Sequence, residues 1–155
     1  MAYPLPHATR NQVFTGLFNL LKTIPAPTGA PWQVFSQSLV SFDDIPAQPA
    51  LYLHRGIQIA EQNKAYGVTR WQWRVWLFIY YRVEGFTPAT DTSYPDQLTD
   101  QFLDNLEQLF QVEPNAGTFT LGGLVHHCWI DGSIFTENGL IDGQAFIIVP
   151  LSILV

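Results

Sequence analysis

Apolar residues near the start of the chain follow a helical spacing. Thr9 stands three residues before Gln12, the separation of a capping box, in which the two residues satisfy each other's free backbone N–H groups. After this pair, apolar positions recur at intervals of three and four residues: Val13, Phe14, Leu17, Phe18, Leu20, Leu21 and Ile24. Such a stripe buries one side of a helix, and Pro25 ends it. The pattern predicts a first helix that begins at Thr9.

A second helical stripe follows Pro95, a residue that suits the first turn of a helix. The apolar positions of this stripe are Leu98, Phe102, Leu103, Leu106, Leu109 and Phe110. Acidic residues stand against them at Asp96, Asp100, Asp104 and Glu107. The separation of apolar and acidic sides predicts a second amphipathic helix, with the apolar side on the core.

The segment Trp71–Val83 alternates with a period of two, which predicts a strand. One of its faces is wholly apolar and belongs on the core. The other face consists of Gln72, Arg74, Trp76, Phe78, Tyr80 and Arg82. Large aromatics mixed with arginine are typical of protein interfaces. A half-exposed outer sheet face with no partner is the alternative.

Two further segments are predicted to be strands because of their loose alternation, and a break with two prolines separates them. They are Val34–Phe42 and Ala50–Ala60, on either side of Asp43–Pro49. The Glu84–Tyr94 segment is polar and is predicted to be a loop that projects from the sheet.

The end of the chain is predicted to be a β-hairpin. Two apolar runs, Leu124–Phe135 and Ala145–Val155, flank Asn138-Gly139 and Asp142-Gly143, dipeptides that readily supply the positive φ of a tight turn. The last run has almost no polar side. We therefore expect it to be covered on both faces, by the chain's own helices on one face and with another subunit as a candidate for the other.

Together these elements predict one α+β domain that spans residues 1–155. Its expected core is a mainly antiparallel β-sheet with two amphipathic helices packed on one face and a C-terminal β-hairpin. The sequence has no internal repeat, and its length suffices to bury a core without disulfides.

Composition favours assembly with other proteins. Charged residues make up 13% of the chain and hydrophobic residues 47%, so part of the surface is expected to be apolar and occupied. The net charge of −6 argues against tight binding of nucleic acid, which depends on basic contacts. With one cysteine, no leader and no apolar run of membrane-spanning length, we expect folding in the cytoplasm and no membrane partner.

The sequence offers weak candidates for catalysis or metal binding. His126, His127 and Cys128 include good zinc ligands, but neighbours in a strand point to opposite faces, so only His126 and Cys128 could share a site. We expect no metal site and predict Cys128 to be a small core residue. The acidic pair Asp43-Asp44 is more typical of a solvated turn than of an acid–base pair. We predict no catalytic residue and no cofactor, since no nucleophile-elbow or phosphate-binding motif occurs.

The arginines of the Trp71–Val83 segment permit one other interpretation. Together with Arg70 just before the segment, they alternate with tryptophan and tyrosine, as in platforms on which the bases of single-stranded nucleic acid stack. The acidic balance of the chain makes a protein the better partner.

The order of several segments resembles that of tail-terminator, or tail-completion, proteins of long-tailed bacteriophages. The resemblance lies in the PAL of Pro49–Leu51, WQWRVWLFIYYRV at Trp71–Val83, the amphipathic helix after Pro95, TLGGLVHHCWIDG at Thr120–Gly132 and LIDGQAFIIVPLSILV at Leu140–Val155. It covers most of the chain and involves no catalytic residues.

The resemblance implies a virion protein of the tail-neck region that is assembled in the host cytoplasm and is not an enzyme. Such a subunit forms a homo-oligomeric ring of six on the head-proximal end of the tail tube, where it stops tube growth. Its other partners would be the major tail tube protein and a head-completion or connector protein, and DNA would only pass through the lumen. An acidic lumen suits that passage because it repels phosphates. Another neck component, such as a head-closure protein, and an enzyme or ligand-binding domain that uses His126, His127 and Cys128 are the alternatives.

Contact residues are expected on the outward face of the long strand and in two connections, Glu61–Arg70 and Glu84–Tyr94. The candidates are Arg74, Trp76, Tyr80, Arg82, Glu61, Lys64, Tyr66, Arg70, Asp91 and Tyr94. For the two connections, plain surface loops are an equally weighted alternative.

Overall fold

The computed structural model of the chain describes residues 5–61, 69–83, 94–112, 117–139 and 143–155. Within these ranges it contains the helices α1 (Arg10–Leu21) and α2 (Tyr94–Leu109) and a short 3-10 turn at Phe42–Asp44. Neither helix is both long and apolar enough to cross a bilayer, a finding that covers the described ranges alone.

Six strands form a single sheet in the described part of the chain. They are β1 (Val34–Ser36), β2 (Ala50–Glu61), β3 (Arg70–Arg82), β4 (His127–Ile130), β5 (Phe135–Asn138) and β6 (Gln144–Leu154). The order across the sheet is β1-β2-β3-β6-β4, and β5 also pairs with β6. All neighbours are antiparallel except β1 and β2. The predicted α+β class with a mainly antiparallel sheet is confirmed.

The predicted C-terminal hairpin is present, although its first arm is broken. Both β4 and β5 lie against the same edge of β6, with Ile130 opposite Leu151 and Phe135 opposite Ile148. Two more residues separate Ile130 from Phe135 than separate their partners, so the arm bulges between β4 and β5. The turn is closed by a hydrogen bond of 2.9 Å from the Gly143 N–H to the Gly139 carbonyl.

The predicted strand Val34–Phe42 is wrong beyond Ser36. Because β1 runs parallel to β2, the chain must cross over before β2 begins, and residues 37–49 make this crossover. Phe42 lies in its 3-10 turn and contacts Tyr80 with ring centroids 5.7 Å apart. The apolar residues of the crossover therefore pack from a turn, not from a strand. Asp43-Asp44 is exposed within the turn, as predicted.

Both helices pack on one face of the sheet. Phe14 of α1 stacks on Trp73 at 5.5 Å, and Thr99 of α2 shares a hydrogen bond of 2.6 Å with the Tyr81 hydroxyl. Trp73 and Tyr81 lie on the same side of β3 because their positions differ by an even number. We call this side the inner face of the sheet and the opposite side the outer face.

The capping box predicted at the start of α1 is confirmed. The Gln12 N–H donates to Thr9 Oγ1 at 3.2 Å, and the Thr9 N–H donates to Gln12 Oε1 at 2.9 Å. This fixes the first turn of α1, so that Val13, Phe14 and Leu17 face the sheet and are buried.

The core lies between the helices and the inner face. Its fully buried members on β3 and β6 are Trp73, Val75, Leu77, Ile79, Tyr81, Ala145, Ile147, Val149, Leu151 and Ile153. Burying a side chain of the size of Leu or Ile contributes about 1.5–3 kcal/mol, which makes this face the main source of stability.

Candidate interaction surface

The outer face of the sheet carries large apolar side chains, and neither helix covers it. Across β3 and β6, Tyr80 lies opposite Phe146, Phe78 opposite Ile148 and Trp76 opposite Pro150. These six side chains are half-buried, since they cover one another in part but meet no helix of the described chain. Their alternation with the buried core residues follows from the period of two in each strand.

The apolar surface continues beyond the two central strands. On one side the ring of Tyr80 contacts Phe42 and Tyr52, the latter at 6.3 Å. On the other side Trp129 of β4 stacks on His127 at 4.7 Å, and Phe135 of β5 is 61% exposed. The outer face is thus an aromatic and aliphatic surface that extends from the crossover to the opposite edge of the sheet.

Trp76 can lie flat on this face because a glycine stands beside it. A Cβ atom placed on Gly56 of β2 would come within 1.9 Å of the Trp76 ring. The register of β2 against β3 also shifts between Arg55 and Gln58, which marks a β-bulge at Gly56. The missing side chain and the bulge together provide the space that the indole occupies.

One end of the outer face is polar. The Ser152 hydroxyl donates to Asp131 Oδ2 at 2.8 Å, and Arg74 Nη2 lies 4.0 Å from the same oxygen. Gln72 Nε2 donates to Ser152 Oγ at 3.3 Å. The side chain of Arg74 is 43% exposed, so this ion pair is solvated and contributes little to stability. It leaves a guanidinium beside the apolar surface, where a partner can reach it.

Four of the predicted contact residues lie together on the outer face. Arg74, Trp76, Tyr80 and Arg82 alternate along β3 on the side away from the helices, with both arginines exposed and both aromatics half-buried. The structure therefore groups these four side chains on one surface, as the alternation predicts.

The remaining predicted contact residues are spread over the two connections. Glu61 and Arg70 pair across β2 and β3 and are exposed at the end where β2 stops and β3 begins. Lys64, Tyr66 and Asp91 lie outside the described residues, and Tyr94 is described only as the first backbone position of α2.

The sequence-based prediction missed the part of the surface that other strands contribute. Phe146, Ile148 and Pro150 of β6 complete it, together with Trp129 and Phe135. The nearly all-apolar last segment carried the relevant signal, because it predicted cover on both sides of that strand. Which β6 residues would lie beside which residues of β3 depends on a long-range register that the local pattern does not contain.

The three consecutive candidates for metal binding occupy different environments. Cys128 is fully buried on the inner face, which confirms its prediction as a core residue, and burial raises the pKa of its thiol to about 12. His127 points to the outer face and accepts a hydrogen bond of 3.0 Å from the Phe119 N–H, whereas His126 is exposed. Among the described residues, no group of three His, Cys, Asp or Glu side chains could hold a metal ion.

Two shallow clefts lie away from the centre of the outer face. One, of about 430 Å³, separates α2 from β5 and includes Asp96, Asp100 and Glu137. Asn138 Nδ2 donates to Asp96 Oδ1 at 2.8 Å and so joins the two elements. The other, of about 370 Å³, has both His7 and His126 in its lining.

The described residues form an α+β fold whose sheet has one face covered by helices and one apolar face that neither helix covers. Comparison of the chain with models of known protein families gives no match, and comparison with curated protein sequences gives none either. Function is therefore inferred from the outer face and from the sequence.

Proposed function

We propose that the protein is a structural subunit of a phage tail, a terminator that forms a ring on the head-proximal end of the tail tube. The observation that carries this proposal is the apolar outer face of the sheet, which neither α1 nor α2 covers. Such a face suits a protein whose work is to bind other proteins, because a patch of this kind is rare on monomers unless a partner covers it.

The aromatic side chains of the outer face are the part that would contribute most to association. Aromatic side chains bury about 150–250 Å² each when fully covered, and removal of apolar surface from water contributes about 25 cal/mol per Å². Covering the part of Trp76, Phe78 and Phe146 that is still exposed would thus favour association. Arg74 and Arg82 at the ends of the same face supply polar contacts that orient a partner.

The charge of the chain also suits a ring through which a genome passes. With a net charge of −6, the protein repels phosphates, so DNA can move through the ring without binding to it. The proposed partners are sibling copies, the major tail tube protein and a head-completion or connector protein. The order of segments that resembles tail terminators supports this assignment.

The proposal is tested by adding the purified chain to growing tail tubes and measuring tube length by electron microscopy. We expect the protein to cap tubes and shorten their mean length. Ile148→Asp places a charge at the centre of the outer face and should abolish capping. Val112 is 54% exposed after the end of α2, so Val112→Asp serves as the matched control and should cap normally.

Circular dichroism and thermal unfolding of both variants separate loss of binding from loss of fold. Tubes that grow to the same length with and without the native chain would contradict the terminator role. Capping by a folded Ile148→Asp variant would show that the outer face is not the surface involved.

A further inference from the structure

The sheet has an open edge on each side. On one side, β1 pairs with β2 only at Ala50–Tyr52, so Leu53–Glu61 has no described strand on the side away from β3. On the other side, β5 pairs with β6 and has no second neighbour among the described strands. Open edges present unpaired N–H and C=O groups that another strand can bind.

Both open edges carry exposed apolar side chains, which is unusual for edges that face water. Ile57 and Ile59 of β2 are 60% and 43% exposed, and Ile134 and Phe135 beside and within β5 are 37% and 61% exposed. Proteins normally protect such edges with charge, proline or a covering loop. The neighbouring edge of β4 shows such cover, since the Cys128 N–H donates to the Phe119 carbonyl at 2.8 Å.

The charges at the two edges constrain how the strands could pair, because the open part of β2 carries both signs and ends at the acidic Glu61. His54 and Arg55 are exposed on the open part of β2, and Arg55 also donates to Gln37 Oε1 at 3.0 Å. The open part of β5 presents Glu137, which is exposed. Opposite charges across a strand pair stabilise it by roughly 0.2–1 kcal/mol, whereas like charges directly opposite destabilise it.

We propose that β5 of one copy pairs with the open part of β2 in the next copy, so that the sheet continues from subunit to subunit. This inference rests on the proposed function, because it takes the occupant of each edge to be a sibling in the ring. A second copy is the partner that fits best, since every copy brings one edge of each kind and one contact covers both. Contacts between two different patches join subunits head to tail, and they form a closed ring when the rotation permits.

Pairing of these edges is tested by disulfide cross-linking between chains in a Cys128→Ala background. Ile59→Cys and Phe135→Cys chains are purified separately, oxidised alone and as an equal mixture, and analysed by non-reducing electrophoresis over a range of concentrations. We expect the mixture to give at least ten times more dimer than either chain alone. A chain that carries both substitutions should give a ladder of oligomers.

Val112→Cys provides the background level, because Val112 is exposed and belongs to neither edge strand. Dimers of Ile59→Cys alone would overturn the inference in favour of a two-fold contact. Cross-linking of the mixture no greater than that of Val112→Cys would show that the two edges do not meet. Tube capping without the edge cross-link would leave the proposed function standing and remove only this contact. The cross-link without tube capping would support this contact and contradict the proposed function.

Discussion

Single residues show how closely side-chain environment follows position in the sheet. His126, His127 and Cys128 are neighbours in sequence, yet one is exposed, one accepts a backbone hydrogen bond on the outer face and one is buried in the core. Alternation along β4 sends His127 and Cys128 to opposite faces. This separation explains why a dense run of potential ligands does not form a site in the described chain.

The burial of Cys128 predicts a dependence of stability on pH. Its folded pKa is about 12 against an ordinary 9.0, so the thiol contributes stability that is fully present below pH 9 and lost as the pH rises toward 12. At pH 10.5 the native chain should have lost about 2 kcal/mol of its free energy of unfolding through this group, relative to pH 7.5. Urea unfolding of the native chain and of Cys128→Ala at both values measures the difference.

The tyrosines do not affect the difference in stability between the native chain and Cys128→Ala. Burial also raises the pKa values of Tyr52, Tyr80 and Tyr81, but both chains contain them, so their contributions cancel in the difference. A stability difference between the two chains that stays constant with pH would mean that the Cys128 thiol meets solvent in the folded state.

At the scale of elements, β2 and β3 form a long antiparallel pair whose geometry depends on the bulge at Gly56. We expect Gly56→Ala to destabilise the fold by about 1–3 kcal/mol, because its Cβ would overlap the Trp76 ring and force it off the sheet. In a Trp76→Leu background the smaller side chain leaves room, so the same substitution should cost much less. Chemical denaturation of the four chains measures this coupling. An equal cost of Gly56→Ala in both backgrounds would show that the indole is not the obstacle.

Elements with a regular local pattern were predictable from the sequence, and those defined by distant contacts were not. The capping box, the two helical stripes and the alternation of β3 each carry their own signal, and all are confirmed. The end of β1 depends on its parallel pairing with β2, and the break between β4 and β5 depends on where each meets β6. The end of β1 leaves no distinct mark in the hydrophobic pattern, and Asp131-Gly132 marks the break in the last hairpin without showing where each strand meets β6.

One part of the interaction surface could likewise be predicted from the sequence and another part could not. The part on β3 could be predicted because Arg74, Trp76, Tyr80 and Arg82 alternate within one segment. The part on β6 could not, since nearly every residue of that segment is apolar and only the register shows that Phe146 and Ile148 point outward. The exposed Ile59 and Phe135 are separated by most of the sheet, so only the topology identifies them as its two open edges.

At the scale of the whole molecule, the two faces of the sheet have different roles. Its inner face holds the domain together under α1 and α2, whereas its outer face is apolar, has neither helix upon it and is contacted at one side by Phe42 of the crossover. A sheet with water on one face normally alternates polar residues outward. The departure from that rule across β3 and β6 is the physical basis for the proposal that other subunits complete the structure.

Oxidative footprinting of the outer face tests this central claim most directly. The chain is exposed to hydroxyl radicals as an isolated, dilute protein and again after assembly on tail tubes, and oxidation of Trp76, Phe78 and Phe135 is measured by mass spectrometry. We predict that oxidation of these side chains falls several-fold on assembly, while that of Val112 stays the same. Equal oxidation of the outer face in both states, with the protein bound to tubes, would contradict the claim that partners cover it.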